Sequence, residues 1–262
     1  MSTVVFGRRV FEPQLIIFDK DGTLTDFRKT WFPLFNKRIE IVLNNLEEDM
    51  PWKNSPKKPL PWDRILSAIY RAYGIDNHYI DPHGPFPYST PWEDEIIMAT
   101  VLYRFGVGWQ KAKDTVHHAI DIAEKNIDRV KLTALYPDVK MVLEDLHRRE
   151  IMLSVASADL SEIVVQTLKQ AGVYDLFDYV IGADMVKHDK PHPEMIDKTI
   201  STLDADRKKT VMVGDSITDM EMGKRAGVGL VVGVLESEVA ARADLEKDAD
   251  VVIDSVRDIR VI

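Results

Sequence analysis

The chain has 262 residues, enough for one large domain or two modest ones with a real core. Its 45% hydrophobic and 29% charged content is ordinary for a globular protein, and a formal net charge of −9 argues against nucleic acid or an anionic membrane surface as partner. With no cysteine, disulfides, thiolate catalysis and cysteine–zinc sites are excluded.

Residues 1–13 lack the apolar core of a signal peptide. No apolar run approaches the ~18 residues that span a bilayer, so the cytoplasm is the expected compartment. The first clear element is Leu15-Ile16-Ile17-Phe18, four apolar residues that read as a buried strand. Asp19-Lys20-Asp21-Gly22-Thr23 follows at its carboxyl end, where open α/β sheets hold their ligands. Two aspartates spaced i, i+2 cannot comfortably ionise together, which implies a cation or a shared proton.

Helical periodicity then takes over. Residues 31–47 place Trp31, Leu34, Phe35, Ile39, Val42, Leu43 and Leu46 on one stripe, with Pro33 expected in the first turn. A proline-rich stretch carries Pro51, Trp52, Lys53, Pro56, Lys57, Lys58, Pro59 and Pro61. A second helix runs from Trp62 to Tyr73 and stops at Gly74, and a further loop carries Pro82, Pro85 and Pro87. Thr90-Pro91-Trp92-Glu93 reads as a capping box opening a third helix, and Trp109 to Val130 reads as a fourth. All five tryptophans lie in this module, so their fluorescence is expected to respond to ligand if the module acts as a lid.

From Pro137 strand and helix alternate: helix 138–149, strand 151–156, a helix to 171 capped by Asp159, strand 179–182, helix 193–203, strand 210–213, helix 218–226, then short strands near 229–232 and 250–253. The expected fold is α/β, a Rossmann-like doubly wound parallel sheet with an inserted all-helical cap domain. Residues 1–26 and 135–262 form the core and residues 27–134 the cap, because a βαβ unit needs only ~30 residues and this first crossover is far longer.

Four polar clusters fall at one rim of the expected sheet: Asp19 to Thr23; Ser157 after Ser154-Val155-Ala156; Lys190 in His188-Asp189-Lys190-Pro191; and Gly214-Asp215-Ser216-Ile217-Thr218-Asp219 after Val211-Met212-Val213. These segments resemble, in order, the DxDGT, hydrophobic-Ser, Lys-Pro and GDxxxD motifs of the haloacid dehalogenase superfamily, and the insert resembles the helical cap of phosphoglycolate phosphatases and β-phosphoglucomutases.

The resemblance implies an Mg²⁺-dependent phosphatase acting on a small phosphorylated metabolite through an aspartyl phosphate. In it Asp19 is the nucleophile. Asp21 is the acid and base, since a carboxyl two residues on can protonate the leaving alkoxide and later take a proton from water. Lys190 neutralises Asp19 and the phosphate, and Ser157, Gly22 and Thr23 bind phosphate. The metal is held by Asp19, the backbone carbonyl of Asp21 and Asp215, while Asp219 binds it through water or orients Lys190. His188 and His192 read as loop residues, and Lys20 receives no role. The alternatives are a β-phosphoglucomutase-like phosphomutase, a phosphonoacetaldehyde hydrolase using a cap lysine such as Lys53, Lys57 or Lys58, and a non-catalytic binding protein of the same fold. The position-21 aspartate sets the phosphotransferase branch apart from the dehalogenases.

Overall fold

The computed structural model describes residues 2–49, 61–76 and 79–262. The stretch holding Pro51, Trp52, Lys53, Pro56, Lys57, Lys58 and Pro59 lies outside the described residues. The chain divides into two compact units, Met1–Lys29 with Val130–Ile262, and Thr30–Arg129.

The first unit opens with a hairpin that apolar spacing alone does not announce. β1 (Val4–Phe6) and β2 (Arg9–Phe11) pair antiparallel. The chain turns between them at Gly7, whose φ of +59 suits a residue without a side chain. β3 (Leu15–Phe18) is fully buried. Leu15 and Ile17 point into one apolar cluster and Ile16 and Phe18 into another, the signature of a central strand covered on both faces.

α1 (Phe27–Asp49) starts four residues before the expected 31. The Asp26 carboxylate accepts the N–H of Lys29 at 3.2 Å and so starts the helix earlier. Pro33 therefore lies inside the helix rather than in its first turn, and removes one backbone hydrogen bond there.

In the second unit α1 continues beside α2 (Trp62–Ala72), α3 (Pro91–Arg104) and α4 (Trp109–Asn126), after a pair of two-residue strands, β4 (Ile75–Asp76) and β5 (Tyr79–Ile80). The cap expected to be all-helical thus carries a small antiparallel ladder, too short to show a period of two. The capping box at Thr90 forms with both arms, Glu93 N–H to Thr90 Oγ1 and Thr90 N–H to Glu93 Oε2. Arg38 is buried between Asp94, at 2.6 Å, and Glu124, at 2.5 Å. Ser89 donates to the same Asp94 carboxylate at 2.7 Å.

The first unit resumes through α5 (Arg129–Leu132), which straddles the division, and α6 (Val139–Arg148). β6 (Met152–Ala156), α7 (Ser161–Gln170), β7 (Tyr179–Ile181), α8 (Glu194–Leu203), β8 (Thr210–Gly214), α9 (Ile217–Ala226), β9 (Leu230–Val234), α10 (Arg242–Asp248) and β10 (Val251–Ile253) follow, then β11 (Ile259–Val261). The sheet is parallel in the order β10-β9-β8-β3-β6-β7, with helices on both faces. The chain leaves β3 to one side for β6 and β7, then returns to the other for β8, which makes the carboxyl end of β3 the topological switch point. β11 pairs with β1 and closes a separate three-stranded sheet. Among the described residues no helix is long and apolar enough to cross a membrane.

Candidate active site

Register explains why the acidic residues meet. Phe18 pairs with Val213 on β8 and with Val155 on β6, and the Asp19 N–H donates to the Val213 carbonyl at 2.8 Å. Asp19 therefore leaves the sheet beside the Gly214-Asp215 turn on one flank and the Ala156-Ser157 turn on the other. Asp19, Asp215 and Asp219 are buried, and each offers a carboxylate oxygen within 4.8 Å of the other two. Lys190 Nζ reaches into this group, 2.5 Å from Asp19 Oδ1 and 2.8 Å from Asp219 Oδ1.

Two glycines make the approach possible. A Cβ on Gly22 would lie 2.0 Å from Asp215 Oδ2, and the φ there is +89. A Cβ on Gly214 would lie 2.4 Å from the Cβ of Asp219. Neither position accepts a side chain without moving a buried carboxylate.

Asp219 has two tasks. Its Oδ2 accepts from the backbone N–H of Ser216 at 3.2 Å and from the Ser216 hydroxyl at 2.6 Å, closing a capping box on α9. Its Oδ1 faces Lys190 Nζ at 2.8 Å. Thr23 Oγ1 lies 3.4 Å from Asp215 Oδ1, and the Ser237 hydroxyl also bonds that carboxylate. The Ser157 hydroxyl accepts the Asp159 N–H at 3.2 Å, which leaves its own hydrogen as a donor. The Gly22 N–H donates to the Thr25 carbonyl at 2.8 Å in the turn after β3.

Burial pushes the Asp19 carboxyl up from 3.8 to about 7, against the pull of Lys190, with Asp219 and Asp21 adding to the rise. Burial, then Asp19 and Asp219, likewise raise Asp215 well above the usual carboxylate range. For Lys190 burial acts downward, but Asp19 and Asp219 outweigh it and the ammonium is held more firmly than in water. One ammonium faces three carboxylates, so the cluster has room for further positive charge. Its donors are all oxygen, which suits a hard divalent cation rather than a thiophilic one.

The DxDGT segment, the GDxxxD segment and the lysine thus meet at one rim. A family model for the haloacid dehalogenase-like hydrolases matches residues 13–227. The chain belongs to this family. It is similar to pyrophosphatase PpaX of Halalkalibacterium halodurans, 33% identical over 102 residues, which are 39% of this chain and 47% of that relative. It is also similar to the phosphoglycolate phosphatase of Vibrio cholerae, 33% identical over 117 residues, 44% of this chain and 52% of the relative. The chain spans about half the length of the curated relatives it matches. A HAD-superfamily hydrolase of subfamily IA from Geobacter sulfurreducens superimposes with a TM-score of 0.61 at 16% identity, covering 94% of each chain, a likeness of fold.

Within this family fold, Lys20 is the residue that motif reasoning passed over. It is buried, with Nζ 2.7 Å from Asp21 Oδ2 and 2.9 Å from Asp159 Oδ2. Burial works against its charge, but Asp21 and then Asp159 raise its pKa overall. Asp159, expected to cap α7, spends its carboxylate on this lysine. The Ser161 N–H at the start of α7 is taken instead by Asp184 at 2.7 Å. Asp21 also accepts from the Thr25 hydroxyl at 3.0 Å, so its carboxylate is fixed by two neighbours and stands apart from the three-aspartate cluster. An intrinsic signal for Lys20 existed in its place between two aspartates, but its second partner lies 139 positions away.

Proposed function

We propose that this chain hydrolyses the phosphomonoester of a small metabolite by way of a phosphorylated aspartate. The observation that carries this reading is the buried meeting of Asp19, Asp215 and Asp219 with Lys190 at the switch point of the sheet. Phosphoryl transfer depends chiefly on positioning and charge stabilisation, and this cluster provides both.

The first step forms a bond from an Asp19 oxygen to phosphorus and breaks the bond from phosphorus to the ester oxygen. Asp21 donates a proton to the departing alkoxide. In the second step water attacks the phosphorus of the aspartyl phosphate, gives its proton to Asp21, and releases Asp19 with inorganic phosphate. Lys190 and the Ser157 hydroxyl hold the phosphoryl oxygens. Lys20 and Thr25 keep the Asp21 carboxylate in one place between the two steps.

Mg²⁺ is the proposed cofactor, held by the side chains of Asp19 and Asp215 and by the carbonyl of Asp21, with Asp219 supporting through Lys190. When bound it offsets the repulsion between an anionic nucleophile and an anionic phosphate. The helical insert is proposed to select the substrate. Phosphoglycolate heads the monoester candidates, and pyrophosphate, an anhydride whose leaving group is phosphate rather than an alkoxide, is the other substrate that the relatives suggest.

A panel of phosphorylated metabolites containing both, with p-nitrophenyl phosphate as a general probe, tests the reading. Release of inorganic phosphate that needs Mg²⁺ and vanishes in Asp19→Asn supports it. Unaltered turnover in that variant overturns the nucleophile assignment, and interconversion of sugar phosphates without phosphate release replaces the hydrolase reading by a mutase one.

A further inference from the structure

The loop between β7 and α8 carries His188-Asp189-Lys190-Pro191-His192-Pro193-Glu194, and the proposed reaction uses only Lys190 from it. His188, His192 and Glu194 each offer a donor atom within 4.8 Å of the other two, and both histidines are exposed. We propose that these three side chains form a second metal site, one that takes a borderline transition-metal ion of the Zn²⁺ class and is separate from the oxygen-lined aspartate cluster.

The spacing suits such an ion. His188 Nδ1 and Glu194 Oε2 are 3.1 Å apart, close to the roughly 3.3 Å edge of a tetrahedron with bonds of about 2.0–2.1 Å. The carboxylate is already fixed in place. Glu194 accepts the backbone N–H groups of Lys187 and His188, both at 3.1 Å, and its Oε1 lies 3.1 Å from Lys198 Nζ. The two imidazole rings lie 4.5 Å apart, centroid to centroid, and 34° from parallel. Both rings sit at the surface, and His192 Nδ1 accepts the Glu194 backbone N–H at 3.3 Å.

Two nitrogen donors and one oxygen donor favour Zn²⁺, Co²⁺ or Ni²⁺ over Mg²⁺, whose preference is for oxygen. Three protein ligands leave a coordination position for water, consistent with the exposure of the site. The two histidines flank Lys190 symmetrically in sequence, two residues before and two after. A metal bound there clamps the segment that delivers the Lys190 ammonium to Asp19.

The test uses the whole chain, free of any tag, stripped of metal and then held in excess Mg²⁺, so that the oxygen cluster is filled. Co²⁺ is titrated and its visible absorption followed, because nitrogen ligation in a low-symmetry site gives strong bands that oxygen-ligated Co²⁺ lacks. One equivalent with such bands is expected in the wild type and in Asp215→Asn. In His188→Ala and in His192→Ala the affinity is expected to fall by at least about tenfold. Imidazole resonances of the unmodified protein give a second reading: of the seven histidines, His188 and His192 are expected to shift with substoichiometric Zn²⁺. The proposal is overturned if the His188→Ala/His192→Ala double variant retains the bands, if the wild type shows none at millimolar Co²⁺, or if Zn²⁺ leaves both resonances in place.

Discussion

Replacing Asp19 by asparagine tests the electrostatics of the aspartate cluster apart from any chemistry. Asp19 is buried and its folded-state pKa lies near 7, against 3.8 for the free group. Below about pH 4 the carboxyl is protonated in folded and unfolded chains alike and contributes nothing to the balance. As pH rises from about 4 to 7, the unfolded chain ionises while the folded one keeps its proton, so stability falls through that window. At about 1.36 kcal/mol per pH unit, the loss reaches on the order of 4 kcal/mol above pH 7 in metal-free buffer. An asparagine side chain cannot ionise and escapes this loss. The Asp19→Asn variant is therefore expected to match the wild type at pH 4 and to exceed it by on the order of 4 kcal/mol at pH 8, or roughly 8–16 °C in Tm. Urea unfolding at both pH values in chelator, followed by circular dichroism, measures the difference. Mg²⁺ at pH 8 is expected to recover much of the wild-type deficit and to do little for the variant. Parallel stability curves for the two proteins across pH 4–8 would refute the reasoning, since they would mean that Asp19 ionises as easily in the folded chain as in water.

Three further outcomes follow from particular contacts. Gly22→Ala is expected to stay folded but to lose about a hundredfold or more in kcat, because its Cβ must displace Asp215 and small misplacements in a catalytic cluster are costly; steady-state kinetics on the preferred substrate decide it. Arg38→Met leaves Asp94 buried without its cation and is expected to destabilise the helical unit by about 3–5 kcal/mol. Tryptophan fluorescence reads that unit selectively during unfolding, because all five tryptophans fall in residues 30–129. Thr90→Ala removes the side-chain arm of an exposed capping box, leaving the backbone arm to Glu93, and is expected to cost about 1 kcal/mol by the same assay.

The carboxyl-end rim was legible in the sequence because each of its parts is a short local pattern: an apolar run, then a turn with a fixed set of polar residues. β3 with Asp19 and β8 with Asp215 both have this form, and a parallel sheet aligns their ends wherever they fall in the chain. Contacts made between distant segments were not legible. Lys20 and Asp159 are 139 positions apart, and nothing local marks either as the other's partner. β1, β2 and β11 have three residues each, too few to display a period, and β1 finds β11 at the opposite end of the chain. The start of α1 was misread because the apolar stripe begins after the true cap at Asp26. His188 and His192 do lie in a loop, and their closeness to Glu194 was not legible because it depends on how the backbone folds around Pro191 and Pro193.

The helical insert also shapes how the protein is made. β3 leaves the ribosome early, but its neighbour β6 emerges roughly 130 residues later, a wait on the order of ten seconds at ordinary rates of synthesis. Throughout that interval the apolar side chains of Leu15, Ile16, Ile17 and Phe18 have no sheet to join. The insert is complete before β6 appears, so its helices can consolidate while the nascent strand is still waiting. Nascent chains halted between the two strands should therefore engage ribosome-associated chaperones most strongly at this short hydrophobic run.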